Sequence, residues 1–169
     1  MKYNVLLVLL LFITGCNLNI HNIDNTPKKK VEAYLYKYQT LSDDIIEDLK
    51  LSVEKEIELN NSYKERYMEV IKNNFRNMTY EIKDEVENGN NSIVEVEITV
   101  NNLKNAQNKC NNNNFDSEVL KCRIEKMEKT KDKVKYTIFF NVKKDINNNW
   151  YIEDLSDEDE DKILGIYEN

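Results

Sequence analysis

The spacing of apolar residues changes after residue 76 of this chain, and that change limits the possible folds more than any other feature. From residue 27 to residue 76, apolar residues recur at intervals of three and four, which is typical of helices with one apolar face. From residue 80 they alternate with polar residues, which is typical of half-buried strands. Helices followed by antiparallel strands predict an α+β fold, with the helices packed on one face of a sheet.

Three helices are predicted in the first half of the chain. Thr26 is a cap followed by Pro27 at the first helical position, and Ser42 and Ser62 are caps for the next two helices. The three apolar faces comprise Val31, Tyr34, Leu35, Tyr38 and Leu41; Ile45, Leu49, Val53 and Ile57; and Tyr63, Tyr67, Val70, Ile71 and Phe75. Each helix has a single apolar stripe, so each must pack against another part of the domain.

A curved antiparallel sheet of about four strands is predicted to provide that partner. The Asn-Gly pair at Asn88 and Gly89 indicates a hairpin, and a turn at residues 145–149 leads to a short fourth strand with Trp150 and Ile152. The inward positions of the first three strands are Tyr80, Ile82 and Val86; Val94, Val96, Ile98 and Val100; and Val134, Tyr136, Ile138, Phe140 and Val142.

The remaining segments are less regular. Residues 101–116 are polar and are predicted to form a loop. Residues 117–131 fit either a helix or a strand by periodicity, and their Glu, Lys and Met content favours the helix. Ser156 caps an acidic run, which predicts a short C-terminal helix with its acidic residues near the positive end of the helix dipole.

Residues 1–15 are typical of a signal peptide. Lys2 provides the charged start, and an unbroken apolar run extends from Val5 to Ile13. That run is shorter than the roughly 20 residues that a membrane-spanning helix needs, and its length matches the apolar core of an export signal. The small residues Thr14 and Gly15 then precede a cysteine.

The four residues from Ile13 to Cys16 resemble the lipobox of bacterial lipoproteins. The resemblance implies that Cys16 becomes the first mature residue, with diacylglycerol on its sulfur and an acyl group on its amine. It places the protein on the extracytoplasmic face of the cell membrane, with the lipid bilayer as a partner. An ordinary secretory signal and an uncleaved anchor are the alternatives. Residues 16–27 form a lipidated tether, and residues 28–169 form a single domain.

Three segments of the mature chain, residues 26–41, 63–100 and 134–167, resemble a family of uncharacterised small lipoproteins from low-GC Gram-positive bacteria. The order of elements also resembles the cystatin-like cone of nuclear-transport-factor-like and ketosteroid-isomerase-like proteins. Both resemblances rest on pattern rather than on a chemical motif. They imply a fold and a location, and they imply no activity.

The sequence lacks the residues that most kinds of catalysis need. His21 is the only histidine and lies in the tether, so no imidazole is available to a nucleophile or to a metal site in the domain. The acidic run that begins at Asp157 has Lys162 where a calcium-binding loop needs glycine. No catalytic residue, metal or cofactor is therefore expected.

The formal net charge of -7 is concentrated at one end of the chain. Residues 153–169 contain eight acidic residues and one lysine, so the rest of the chain is balanced. Because no segment forms a basic patch for phosphate backbones, nucleic acid is not expected as a partner.

Two sets of residues are candidates for a role in the domain. Ketosteroid-isomerase-like cones use an acid, tyrosines and a buried pocket, and the resemblance suggests a pocket lined by Tyr34, Tyr38, Tyr67, Asp84 and Tyr136. Asp84 falls in the inward phase of its strand, where burial would raise its basicity. Cys110 and Cys122 could form a disulfide outside the cytoplasm or could stay unpaired.

The expected function is non-enzymatic binding by a domain displayed on the membrane, with a small ligand or an envelope protein as the partner. A cofactor-free hydrolase or isomerase that uses a buried carboxylate and tyrosines is the alternative, and a structural accessory of the envelope is a third hypothesis. Such cones often pair sheet to sheet, so a homodimer is possible, and Phe139 is an apolar residue on the outward face of its strand.

Overall fold

Six helices and four strands are present in residues 25–56, 61–110 and 117–168, which a computed structural model describes. The helices are α1 (Pro27–Thr40), α2 (Asp43–Glu56), α3 (Asn61–Arg76), α4 (Leu103–Asn108), α5 (Ser117–Lys129) and α6 (Asp157–Leu164). The strands are β1 (Thr79–Asn88), β2 (Asn91–Asn101), β3 (Lys133–Lys144) and β4 (Trp150–Ile152). The predicted α+β fold class is confirmed.

α1 and α2 begin directly after their predicted cap residues, Thr26 and Ser42. The Thr26 hydroxyl accepts a hydrogen bond from the backbone N–H of Lys29 at 3.2 Å, and α1 ends where Leu41 adopts a left-handed conformation. α3 begins one residue before the predicted cap, Ser62. The buried apolar residues of α1, α2 and α3 are Val31 and Leu35; Ile45, Leu49 and Val53; and Val70, Ile71 and Phe75. Ile57 lies outside the described residues.

The strands form one open antiparallel sheet in the order β1-β2-β3-β4, so each strand pairs with its neighbour in sequence. The inward residues of β2, from Val94 to Val100, are fully buried. α1 crosses this inner face and contacts all four strands, while α3 and α6 contact β2. The core therefore lies between the sheet and the helices, as the single apolar stripe of each helix requires.

A β-bulge in β1 makes one of the sequence predictions wrong. Ile82 pairs with Val96, and Asp84 pairs with Glu95, which is adjacent to Val96 in β2. Lys83 is therefore an extra residue in β1. An extra residue reverses the alternation that follows it. Asp84 and Val86 therefore face outward rather than inward, and Val86 is 59% exposed.

The segment between β2 and β3 is more helical than predicted. Residues 101–116 were expected to form a loop, but α4 occupies part of them, capped by the side chain of Asn102 and anchored by buried Leu103 and Ala106. Two apolar residues are too few for a periodicity to be visible. Residues 111–116 lie outside the described part of the chain. α5 is a helix, as the composition of residues 117–131 favours.

The C-terminal helix α6 contacts β2, and the residue that follows α6 lies beside the end of that strand. Ser156 caps its start and Gly165 ends it in a left-handed conformation, as the sequence predicts for the cap. A Cβ atom on Gly165 would lie 2.3 Å from the backbone oxygen of Asn101, so the chain passes the end of β2 where only glycine fits.

No helix within the described ranges combines the length and the apolar content that are needed to cross a bilayer. On the outer face of the sheet, Phe139 is exposed as predicted, near exposed Ile93 and Val86.

Candidate functional site

A cleft of about 650 Å³ opens between α2, α3 and α6, and one end of it reaches α1 at Tyr38. The floor of the cleft is formed by the apolar faces of the helices. Its apolar lining residues are Ile45, Leu49, Leu51, Val53, Ile71, Phe75, Ile163, Leu164 and Ile166. We call this cleft, with the four carboxylates described next, the acidic cleft.

Four carboxylates line the acidic cleft: Asp48 from α2, and Asp157, Glu160 and Asp161 from α6. No lysine, arginine or histidine is among the described residues that line it. None of the four forms a salt bridge within the described chain. The neighbouring Lys162 pairs instead with two other acidic residues of α6 and lies over the ring of Tyr167.

Burial and neighbouring carboxylates disfavour the charged forms of Glu160 and Asp161. Desolvation raises the pKa of Glu160, and repulsion from Asp157, Asp161 and Asp48 raises it further. Desolvation also raises the pKa of Asp161, again with a contribution from Asp157, although Lys104 opposes it. The cleft therefore concentrates negative charge that no salt bridge within the described chain neutralises.

Two tyrosines of α1 meet at the end of the cleft. The hydroxyl oxygens of Tyr34 and Tyr38 lie 3.1 Å apart, and the Tyr38 ring packs edge-on against Phe75 with 5.0 Å between ring centres. Burial raises the pKa of both hydroxyls, and the nearby charge of Glu160 raises both further. Both hydroxyls therefore stay protonated at neutral pH, which suits hydrogen bonding to a ligand better than proton abstraction.

The five predicted pocket residues do not surround one cavity. Tyr38 and Tyr67 line the acidic cleft, while Tyr34 touches it through Tyr38 and lines a second groove beside β4. Tyr136 lies elsewhere, where its hydroxyl donates to the backbone oxygen of Tyr167 at 3.0 Å. Asp84 is exposed on the opposite face of the sheet because of the bulge in β1, so the prediction that it faces inward is wrong.

The carboxylates of the cleft were not predicted as a site. The acidic run from Asp157 to Asp161 was interpreted as a solvated helix cap, and Asp48 had no distinguishing pattern around it. One signal in the sequence bears on them. Asp48 lies three residues from Ile45 and one from Leu49, so it borders the apolar face of α2 and must lie at the edge of whatever that face covers.

The cleft carboxylates are spread along its rim. Within the described residues, no three histidine, cysteine, aspartate or glutamate side chains converge in a way that could hold a metal ion. A small ion needs converging oxygen ligands, whereas separated carboxylates suit a larger cation or several positive charges on one ligand.

Cys110 and Cys122 are joined by a disulfide, with their Cα atoms 6.1 Å apart. The bond ties the chain just after α4 to the middle of α5. Neither cysteine lines the acidic cleft. Cys16 and His21 lie outside the described residues, so the predicted lipidation at Cys16 stays a prediction.

Comparison of the chain with protein-family models, with curated proteins and with solved structures finds no match, so the resemblances to small lipoproteins and to cystatin-like cones stay predictions.

Proposed function

We propose that the protein is a binding protein anchored by lipid on the extracytoplasmic face of the membrane, and that its acidic cleft binds an organic cation with an apolar portion. The observation that carries the proposal is the lining of the cleft. Within the described residues, four carboxylates that form no salt bridge line it together with apolar side chains. A ligand that matches both features is positively charged at one side and apolar at the other.

The energetics of the cleft favour such a ligand. A cation in the cleft would offset the desolvation and the repulsion that raise the pKa of Glu160. An apolar portion on the floor contributes roughly 25 cal/mol for each Å² removed from water. The volume of about 650 Å³ is within the usual range for small-molecule sites, which is about 300–1,000 Å³.

Two features support the proposed location. The first is the lipobox-like segment that ends at Cys16. The second is the disulfide between Cys110 and Cys122, since disulfides persist mainly in oxidising compartments outside the cytoplasm.

The ligand chemistry is tested by isothermal titration calorimetry with hexyltrimethylammonium and with heptanoate, two probes that differ in the sign of their charge. We expect the cation to bind and the anion not to bind. Asp48→Asn and Glu160→Gln should each weaken binding of the cation about tenfold, which corresponds to about 1.4 kcal/mol. Glu47→Gln is the matched control, because Glu47 is exposed on α2 and does not line the cleft.

Equal binding of the two probes would contradict the proposal for the cleft, as would cation binding that neither cleft substitution weakens. The anchor is tested separately with Cys16→Ser. We expect the protein with Cys16 to partition into the detergent phase and the Cys16→Ser variant to stay in the aqueous phase. A variant that keeps the same mature mass and the same partitioning would contradict lipidation at Cys16.

Catalysis is the second hypothesis, and the described residues give it less support. It needs a carboxylate beside the tyrosines, and Asp84 is not there. Glu160 is near Tyr34 and Tyr38, but its charge raises the pKa of both hydroxyls and so makes each a weaker acid. A structural accessory without a ligand would bind neither probe.

A further inference from the structure

We infer that the domain rests on the membrane surface through the turn between β3 and β4, residues 145–149, and that the lipid bilayer is the partner of this turn. The inference rests on the proposed lipid anchor, because the anchor brings the turn to the bilayer. It goes beyond anchoring, since a tethered domain could equally stay clear of the surface.

The turn presents an apolar side chain in a fixed position. Ile146 is 98% exposed, more than any other large apolar side chain in the described residues. The turn around it is held together by the Asp145 carboxylate, which accepts hydrogen bonds from the backbone N–H groups of Asn147 and Asn149 at 2.8 Å each. An isoleucine held out in water on an ordered turn has no partner in the domain, and a lipid interface would provide one.

The tether enters the domain at this same turn. The Asn25 side chain donates to the backbone oxygen of Asn148 at 3.2 Å and accepts from the backbone N–H of Trp150 at 3.2 Å. Asn25 follows Cys16 by nine positions, and nine residues span at most about 32 Å when fully extended. A lipid on Cys16 therefore limits how far the β3–β4 turn, and the adjacent β1–β2 turn, can lie from the bilayer.

The charges beside the turn suit an anionic surface. Lys28 and Lys30, on the first turn of α1, form no salt bridge within the described chain. Hydrogen bonds from Asn149 and Asn147 hold the pKa of the Asp145 carboxyl below its usual range. The nearby charge of Lys30 makes a smaller contribution in the same direction. The acidic residues Glu32, Glu87 and Glu153 in this region are each paired with a lysine, whereas Asp154, which lines a groove with Lys30, forms no salt bridge within the described chain. Anionic head groups would attract Lys28 and Lys30.

The acidic cleft adjoins this end of the domain, because Glu160 lines both the cleft and the groove that Lys30 lines. It shares no lining residue with the turn or with the first turn of α1. The same anionic surface that attracts the two lysines repels the four cleft carboxylates, so the two charge patterns favour one orientation of the domain. Contact through the β3–β4 turn leaves the acidic cleft open to solvent.

The test uses the full-length lipidated protein, reconstituted into vesicles of phosphatidylglycerol and phosphatidylcholine. A fluorophore is attached through Ile146→Cys in one sample and through Lys131→Cys in another. The disulfide leaves Cys110 and Cys122 unreactive toward the label. Lys131 is exposed just before β3, and the 12 residues of that strand separate it from the turn by about 40 Å.

We expect spin-labelled lipids to quench the fluorophore at position 146 at least about threefold more than the one at position 131. Lys28→Gln together with Lys30→Gln should reduce the quenching at position 146, and so should vesicles of phosphatidylcholine alone. Equal quenching at both positions, or none at position 146 while the protein floats with the vesicles, would overturn the docking and leave the anchor intact. A protein that does not float with the vesicles would overturn both.

Discussion

The side-chain oxygen of Asn74 on α3 accepts a hydrogen bond from the backbone N–H of Asn101, at 2.8 Å, where β2 ends. The amide nitrogen of the same side chain donates to the backbone oxygen of Leu164 at 2.9 Å. Asn74 is fully buried, so it joins a helix, the end of a strand and the end of α6 inside the domain. An amide is needed there because one contact requires an acceptor and the other a donor.

Asn74→Asp should lower the free energy of unfolding by about 2–3 kcal/mol, because the carboxylate cannot donate to Leu164 and is itself buried. Chemical denaturation measures the change. Asn73→Asp is the control: Asn73 is exposed and uses its oxygen to accept from Arg76, a role that a carboxylate keeps. Similar losses for the two substitutions would show that the buried amide has no special role.

Gly165→Ala should destabilise the protein more than Gly89→Ala. Both glycines have positive φ, 75° and 63°, which costs a residue with a Cβ atom roughly 1–2 kcal/mol. At Gly165 the new atom would also lie 2.3 Å from the Asn101 oxygen, whereas at Gly89 nothing lies within 4 Å. Thermal unfolding should therefore show a clearly larger loss for Gly165→Ala, and equal losses would mean that the close approach to β2 is relaxed without cost.

Glu160→Gln should stabilise the protein at pH 7, by up to about 0.5 kcal/mol for a charge at the surface. The pKa of Glu160 is raised in the folded state, so the folded protein takes up a proton more readily than the unfolded chain. The gain should shrink as the pH falls through the raised pKa and should vanish below the ordinary value near 4.5, where Glu160 is neutral in the folded and the unfolded states. Urea unfolding at a series of pH values measures it.

Glu128→Gln is the matched control and should have the opposite sign. Its carboxylate accepts two hydrogen bonds from Arg66, at 2.7 and 2.9 Å, and these lower its pKa. The carboxylate therefore contributes stability above the ordinary value near 4.5, and this stability is lost as the pH falls through the lowered pKa. If Glu160→Gln destabilised the protein as Glu128→Gln does, the repulsion inferred for the acidic cleft would be absent.

Reduction of the Cys110–Cys122 disulfide should lower the free energy of unfolding by about 3 kcal/mol, the usual contribution of a bond that closes a short loop. Unfolding curves with and without reductant measure the effect, and Cys110→Ser with Cys122→Ser should reproduce it. Titration of unreduced, denatured protein should find neither thiol reactive. Two reactive thiols would rule the bond out.

The elements with regular patterns were predictable, and those with one irregular residue were not. β2 alternates without interruption from Val94 to Val100, so its register and its buried face follow from the sequence. β1 contains one extra residue, and nothing in its pattern of charged residues shows where the extra residue lies. α4 is missed for another reason, since a helix with two buried apolar residues has no visible period.

The acidic cleft could be predicted only in part. The acidic run of α6 is visible in the sequence, and so is the apolar stripe of α2. What brings Asp48 near Glu160 is the packing of α2 and α6 on α3. The two residues are more than 100 positions apart, and neither helix carries a signal for the other. The contact between Tyr34 and Tyr38 of α1 is easier to predict from the sequence, because residues four apart on a helix are neighbours.

The bulge at Lys83 has a consequence for how copies of this protein meet one another. β1 is an edge strand of an open sheet, and a straight edge would offer its free backbone groups to a strand of another molecule. The extra residue bends that edge, and the charged residues on both sides of it oppose pairing with an identical strand. The same irregularity that turns Asp84 outward thus disfavours edge-to-edge pairing of copies through this strand.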